Sequence, residues 1–142
     1  MNEPQHTILL VEDDRAVQRA LAEALHEAFA EAARLYPEEA EFHACLGWAT
    51  WLSLAPGDGA AAQARPPLER ALQLNPRLDR AYVFRGRIAR ALGKTEEAES
   101  EFEKALLCNP GCLEALHELR LGSHAKPSLR PAPGKTGNPP RA

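Results

Sequence analysis

The chain contains a repeat of 34 residues, and this period constrains its fold more than any other feature of the sequence. Residues 69–76, ERALQLNP, align without gaps with residues 103–110, EKALLCNP. A period of 34 in which Asn-Pro closes each unit is typical of stacked helix–turn–helix units. The sequence therefore predicts an all-α fold built of antiparallel helix hairpins.

The unit at residues 79–112 shows why particular residues recur. Gly86 and Ala98 are small where the two helices of a hairpin are expected to cross, which lets their backbones approach closely. Phe102 is large enough to fill the space toward the next hairpin, and Pro110 ends the second helix because proline cannot continue one. The full pattern of this unit is Tyr82, Gly86, Ala98, Phe102, Ala105 and Pro110.

Over residues 25–121 this pattern resembles the tetratricopeptide repeat (TPR) family. A preceding unit, from about Ala40, carries Leu46-Gly47, Ala64, Leu68, Ala71 and Pro76. It is five residues longer than the family's period, so we expect residues 55–65 to form a long surface loop. The second helix of this unit should then be short and start at Pro66-Pro67, since proline is tolerated at the first helical position. Arg85 departs from the Leu that the family prefers.

Half-units flank these two units. Leu25, Phe29, Ala32 and Pro37 fit a second helix that lacks its first helix, and residues 113–121 fit a first helix alone. The resemblance implies a non-catalytic protein- or peptide-binding module that acts as an adaptor or scaffold. In the family, the first helices of successive units line a concave groove for the partner. The groove residues that this implies are Trp48, Trp51, Arg80, Val83, Arg87, Arg90 and His117.

Two interpretations of these groove residues stay open at the level of sequence. Aromatic and arginine side chains are the types that carry most binding energy at interfaces. Alternatively, the tryptophan rings pack against the N-terminal helix, and the arginines pair with glutamates of residues 95–104. Amphipathic helix faces more often serve the core than a partner.

A second resemblance concerns residues 6–28, which look like the start of a response-regulator receiver domain. The apolar run at residues 8–11 precedes Asp13 and Asp14, which in that family would help to hold Mg²⁺. The spacing would make Asp58 the phosphate acceptor. A receiver also needs four more parallel strands, which are stable only when both faces are covered, and helical spacing dominates the rest of the chain. A phosphorelay receiver is therefore the alternative function, and Asp13 and Asp14 are predicted to cap a helix instead.

The sequence predicts a division of the chain into three parts. Residues 1–14 are expected to be an extended segment, residues 15–125 the helical domain, and residues 126–142 a disordered basic tail rich in proline. A lone strand leaves its backbone donors and acceptors unpaired. Residues 7–11 are therefore expected to cause weak self-association.

Charge and cysteine content limit the remaining functional classes. The tail carries four basic residues and no acidic ones, so residues 1–125 hold 13 basic against 20 acidic residues, a net charge of −7. An acidic surface disfavours nucleic acid, because phosphate neutralisation needs a basic one. No apolar stretch approaches the ~18–20 residues of a membrane span, and no signal peptide is recognisable. A cytoplasmic location is expected.

One spacing, C-x₃-C-x₄-H at Cys108, Cys112 and His117, invites a metal interpretation. Structural zinc needs four ligands, and no fourth ligand lies nearby in the sequence. Cys108 occupies the position of Leu74 in the preceding unit, which favours a small core residue. No metal, cofactor or catalytic group is predicted.

Overall fold

The computed structural model describes the backbone of residues 3–125 and the side chains of residues 16–122. Within residues 3–125 every element is a helix: α1 (Glu3–Leu35), α2 (Ala40–Ser53), α3 (Asp58–Leu74), α4 (Asp79–Ala91), α5 (Thr95–Cys108) and α6 (Leu113–Ala125). The all-α prediction is confirmed. The parallel sheet that a receiver needs does not form in this part of the chain, so the receiver alternative is wrong for these residues.

The helices pack as consecutive antiparallel pairs. α2 pairs with α3 and α4 with α5, while α1 packs against α2 and α6 against α5. One core cluster joins α2, α3 and α4, and a second joins α4, α5 and α6. The two hairpins and the two flanking half-units therefore occur in the predicted order.

Three equivalent turns connect the units. Tyr36, Asn75 and Asn109 each donate the backbone N–H to the carbonyl oxygen four residues earlier, at 2.8 Å. The Oδ1 atoms of Asn75 and Asn109 then accept the backbone N–H of the residue two positions later, at 3.0 and 3.1 Å. Asparagine side chains favour such turns, and the following proline prevents the helix from continuing. The repeated Asn-Pro is thus the turn between units.

The small residues of the repeat lie where the helices of each hairpin approach most closely. A Cβ atom added to Gly86 would lie 2.5 Å from Cε1 of Phe102, and one added to Gly47 would lie 2.6 Å from Cγ of Leu68. Phe102 and Leu68 are almost fully buried. Both hairpins therefore use one packing scheme, glycine on the first helix beneath a large apolar residue on the second.

The inserted residues lengthen a helix instead of forming a loop, which corrects the prediction for residues 55–65. Only residues 54–57 separate α2 from α3, and α3 begins at Asp58 with Pro66 and Pro67 in its interior. Compared with the next hairpin, the first helix and the turn each gain one residue and the second helix gains three. Alanines at positions 60, 61, 62 and 64 are strong helix formers, so an added turn of helix costs little.

The extended segment predicted for residues 1–14 is also wrong over residues 3–14, because these residues belong to the 33-residue helix α1. A helix pairs its own backbone groups, whereas a lone strand leaves them unpaired. Extending an existing helix is far easier than starting one, and β-branched residues cost only tenths of a kcal/mol each. Asp13 and Asp14 lie inside α1, so the helix start that was predicted beside them is wrong. The tail at residues 126–142 lies outside the described residues.

No helix in the described part of the chain is both long enough and apolar enough to cross a membrane.

Candidate functional site

The first helices of the array, α2, α4 and α6, meet through a chain of side-chain contacts. We call Trp48, Arg80, Arg87, Arg90, His117 and Glu118 the first-helix surface. Its residues are contributed by all three helices, and each side chain is at least partly accessible to solvent.

Aromatic stacking joins α2 to α4 in this surface. The rings of Trp48 and Phe84 are parallel, with 4° between their planes and 5.1 Å between centroids. The guanidinium carbon of Arg87 lies 5.8 Å from the centroid of the Trp48 ring. A cation at this distance is attracted to the ring face. Trp48 is thus held between a buried ring and a half-buried cation.

Glu118 joins α4 to α6. The Nε of Arg87 donates to Oε2 of Glu118 at 2.7 Å, and Arg90 forms an ion pair with the other carboxylate oxygen. Arg90 also donates to the backbone carbonyl of Glu118 at 2.6 Å, and its guanidinium lies 5.1 Å from the centroid of the Phe102 ring. Both arginine side chains are 27% exposed and Glu118 is 12% exposed. Partial burial makes such paired charges less screened than surface pairs.

Sequence reasoning missed Glu118, although one signal was present. Glu118 stands 34 residues after Phe84, so an acidic residue replaces a buried aromatic of the preceding unit. The predicted partners of the groove arginines were glutamates of residues 95–104, whereas Arg87 and Arg90 pair with Glu118 of α6 and Arg80 lies beside Glu41 of α2. Arg85, which was not among the predicted groove residues, pairs with Glu101 of α5.

The other predicted groove residues separate into buried and exposed ones. Val83 is fully buried in the second core cluster, and Trp51 is 7% exposed. Trp51 lines a depression with Leu21 and Leu25 of α1, whereas Trp48 stacks on Phe84 of α4. Arg80 and His117 are exposed. Arg80 lies 3.6 Å from Glu41, an exposed ion pair of the kind that contributes at most about 1 kcal/mol.

The cysteines and acidic residues do not assemble a metal centre in the part of the chain whose side chains are described. No group of three or more His, Cys, Asp or Glu side chains there could hold a metal ion. Burial raises the pKa of the Cys112 and Cys45 thiols, which disfavours the thiolate that binds metals or attacks substrates. Asp58 is exposed at the first residue of α3. The side chains of Asp13 and Asp14 lie outside the described set.

Comparison with known families agrees with the packing of the hairpins. Residues 57–121 match the tetratricopeptide repeat. The match includes α3, the α4–α5 hairpin and most of α6, and it stops short of α1 and α2. No curated protein matches the chain. The likeness of α1 and α2 to the TPR pattern rests instead on the turn at Tyr36 and on the approach of Gly47 to Leu68.

Proposed function

We propose that the chain is a non-catalytic protein- or peptide-binding module, acting as an adaptor or scaffold, and that the partner lies on the first-helix surface. The match of residues 57–121 to the TPR supports the general role, since such repeats commonly mediate protein–protein contacts. The contact of Arg87 with both Trp48 and Glu118 supports the location. Through it, three helices present one ordered set of aromatic and charged groups.

These groups are already held in fixed conformations, and this favours binding because it lowers the entropic cost of association. Arg87, Arg90 and Glu118 are already held by hydrogen bonds, so a partner does not have to immobilise them. Arg87 uses Nε toward Glu118, and its side chain is still partly exposed. Trp48 presents a half-buried ring beside it. A peptide with a carboxylate or carbonyl for Arg87 and an apolar side chain for Trp48 fits this pair.

Display of random peptides on phage, selected against the full chain, tests the proposal. We expect enriched peptides to bind the purified chain, and Arg87→Ala to weaken that binding at least tenfold, the loss typical of a central interface residue. Arg34→Ala is the matched control, because Arg34 is exposed on α1 and pairs only with Glu31 among the described residues. Equally weakened peptide binding in both variants, or unchanged binding in both, would contradict a site at Arg87. Thermal unfolding of each variant separates lost binding from lost fold.

A role in bacterial signalling is a narrower proposal, based on the resemblance of residues 6–28 to a receiver opening. The helical backbone of residues 3–35 does not favour it.

A further inference from the structure

One face of α1 is open to solvent, although its residues stand at the most deeply buried positions of the next second helix. In α3 these positions face α2 and are 4%, 0% and 0% exposed: Ala60, Ala64 and Ala71. The register that aligns Pro37 with Pro76 places Leu21, Leu25 and Ala32 at the same positions of α1. Leu21 and Leu25 are 56% and 38% exposed. This face therefore has the composition of a covered face, and no first helix covers it within the described residues.

A helix is the occupant that this face selects, because first helices cover the equivalent residues of α3 and α5. α6 is a first helix, but Arg120 stands in it at the position of Gly86. Gly86 lies against Phe102, whose equivalent in α1 is Phe29, so Arg120 would collide with that ring. Residues 126–142 are poor helix formers, since five of these 17 residues are proline. The helix of this chain that remains is α1 of a second copy.

The sequence of α1 is complementary to itself in one antiparallel register. Exposed apolar residues follow one another at alternating intervals of four and three, the spacing of helices that pack along their whole length. They are Val17, Leu21, Ala24 and Ala28, with Leu35 seven residues further on. When the numbers of facing residues sum to 45, Val17 faces Ala28 of the second copy and Leu21 faces Ala24. A shift of seven residues either way would instead oppose two large residues or two alanines.

The length of α1 fits this register. α1 has 33 residues, whereas α2, against which it packs, has 14. In the described set the buried residues of α1 begin at Ala22, so residues 3–21 precede its buried part. The register places residues 10–23 of one copy beside residues 22–35 of the other. Each leading segment therefore lies along the part of the other α1 that carries its body, and the two bodies are at opposite ends of the pair.

The ends of the pair also correspond. Leu35 and Tyr36 are 54% and 61% exposed at the end of α1, and the register sets them beside the apolar run at residues 8–11 of the second copy. It also sets Asp14 beside Glu31. A charged pair within an apolar helix seam costs stability while it restricts the register, so the association is expected to be weak.

We propose that the chain forms a symmetric dimer in which two α1 helices pair antiparallel, each taking the place of a first helix on the other. A two-fold axis between residues 22 and 23 relates the copies, so every contact occurs twice. No residue of the first-helix surface takes part, and the pairing stands whether or not that surface binds a partner. Resting on the proposed function, the dimer displays two such surfaces and suits a partner that carries the recognised peptide twice.

Charge-bearing variants of the full chain, followed by sedimentation velocity, test the pairing. The parent chain is expected to move from 15.5 kDa toward twice that mass as its concentration rises. Leu21→Glu and Ala24→Lys should each weaken association at least tenfold, because each buries a charge without a partner. An equimolar mixture of the two variants should recover the dimer, since the introduced carboxylate then faces the introduced ammonium group of the other chain.

Ala28→Lys is the matched control, because it makes the same change one helical turn further along the same face. Mixed with Leu21→Glu it should not recover the dimer, since position 28 faces Val17 of the second copy. All three positions are exposed in the monomer, so each variant should keep its fold, which circular dichroism checks. Recovery with Ala28→Lys, or no recovery with Ala24→Lys, would overturn the register. A parent chain that stays monomeric, or association that Leu21→Glu leaves unchanged, would overturn the dimer.

Discussion

At the scale of single residues, the close approach of glycine to a large side chain fixes the spacing of each hairpin. Gly86 and Phe102 form this contact in one unit, and Gly47 and Leu68 form it in the other. Interiors are packed too densely to absorb an extra methyl group without movement. The second-helix side chain cannot retreat easily, since Phe102 is fully buried.

Gly86→Ala is therefore expected to destabilise the chain by about 1–3 kcal/mol, the usual cost of overpacking. Gly59→Ala is the matched control, because Gly59 is also helical and a Cβ there meets nothing within 4 Å. That change should be neutral or stabilising by up to about 1 kcal/mol through reduced backbone freedom. Urea unfolding followed by circular dichroism measures both. Equal effects in the two variants would contradict the close packing.

A second variant extends the same prediction to the opposite helix. Ala98 is fully buried beside Phe102, so Ala98→Leu should also cost about 1–3 kcal/mol. An unchanged free energy of unfolding would mean that Ala98 does not face its partner helix. Both positions could be found from the sequence, because Ala98 aligns with Ala64 at the 34-residue period and Gly86 aligns with Gly47 once the five extra residues of that unit are allowed for.

Charged residues at interior positions were harder to foresee. Glu101 and Glu118 replace Pro67 and Phe84 in the repeat register, so alignment marks both as departures. It does not reveal their partners, because Arg85, Arg87 and Arg90 are all long enough to reach several acidic groups. The pairs depend on how neighbouring hairpins stack, which is a three-dimensional property.

At the scale of elements, α1 and α3 differ from the sequence prediction, and they are the helices that the repeat describes least well. The register correctly gave the ends of α3 and α5, because Asn-Pro follows each of them. The predicted start of α3 depended on how Pro66 and Pro67 were interpreted. Proline favours the first position of a helix, yet here both prolines lie in the interior of α3.

Pro66→Ala distinguishes these two starts. With α3 beginning at Asp58, the change restores an N–H for the helix and removes a ring clash, so we expect stabilisation by about 1–3 kcal/mol. With a helix beginning at Pro66, that N–H would be unpaired in any case, and the change would be neutral or slightly unfavourable. Thermal and urea unfolding measure the difference. Glu69→Ala, an exposed change in the same helix, is the control and should stay within about 0.5 kcal/mol of the parent chain.

At the scale of the whole molecule, α1 is disproportionately long. It has 33 residues, whereas the other helices have 13 to 17. At 1.5 Å per residue, α1 spans about 50 Å, more than twice the length of the α2 helix it packs against. The first buried residue of α1 in the described set is Ala22. The apolar run at residues 8–11 lies more than ten residues before it.

An exposed apolar stripe follows that run further along α1. Val17, Leu21 and Leu25 follow one another at intervals of four, which places them on one face of α1, and they are 59%, 56% and 38% exposed. The described side chains therefore leave this face uncovered. A second copy of α1 could cover it by helix–helix packing, which replaces the strand pairing first expected for residues 7–11.

We accordingly expect the full chain to self-associate weakly, with a mean mass that rises with concentration in multi-angle light scattering. A shortened chain that begins at Asp13 should show a smaller rise, because it lacks the apolar run. Leu21→Glu in the full chain should also reduce the rise, since a charge on the stripe opposes burial. Glu23→Gln, an exposed change on the same helix, is the control and should leave it unaltered.

The shortened chain also tests whether residues 1–12 stabilise the monomer in addition to promoting self-association. The buried core residues of the described chain lie between Ala22 and Ala115, so removal of residues 1–12 should leave the unfolding temperature within a few degrees at low concentration. A constant monomer mass in the full chain at all concentrations would show that the stripe is not a self-association face. A large drop in unfolding temperature would instead mean that residues 3–12 stabilise the monomer, because α1 would then depend on them for its packing against α2.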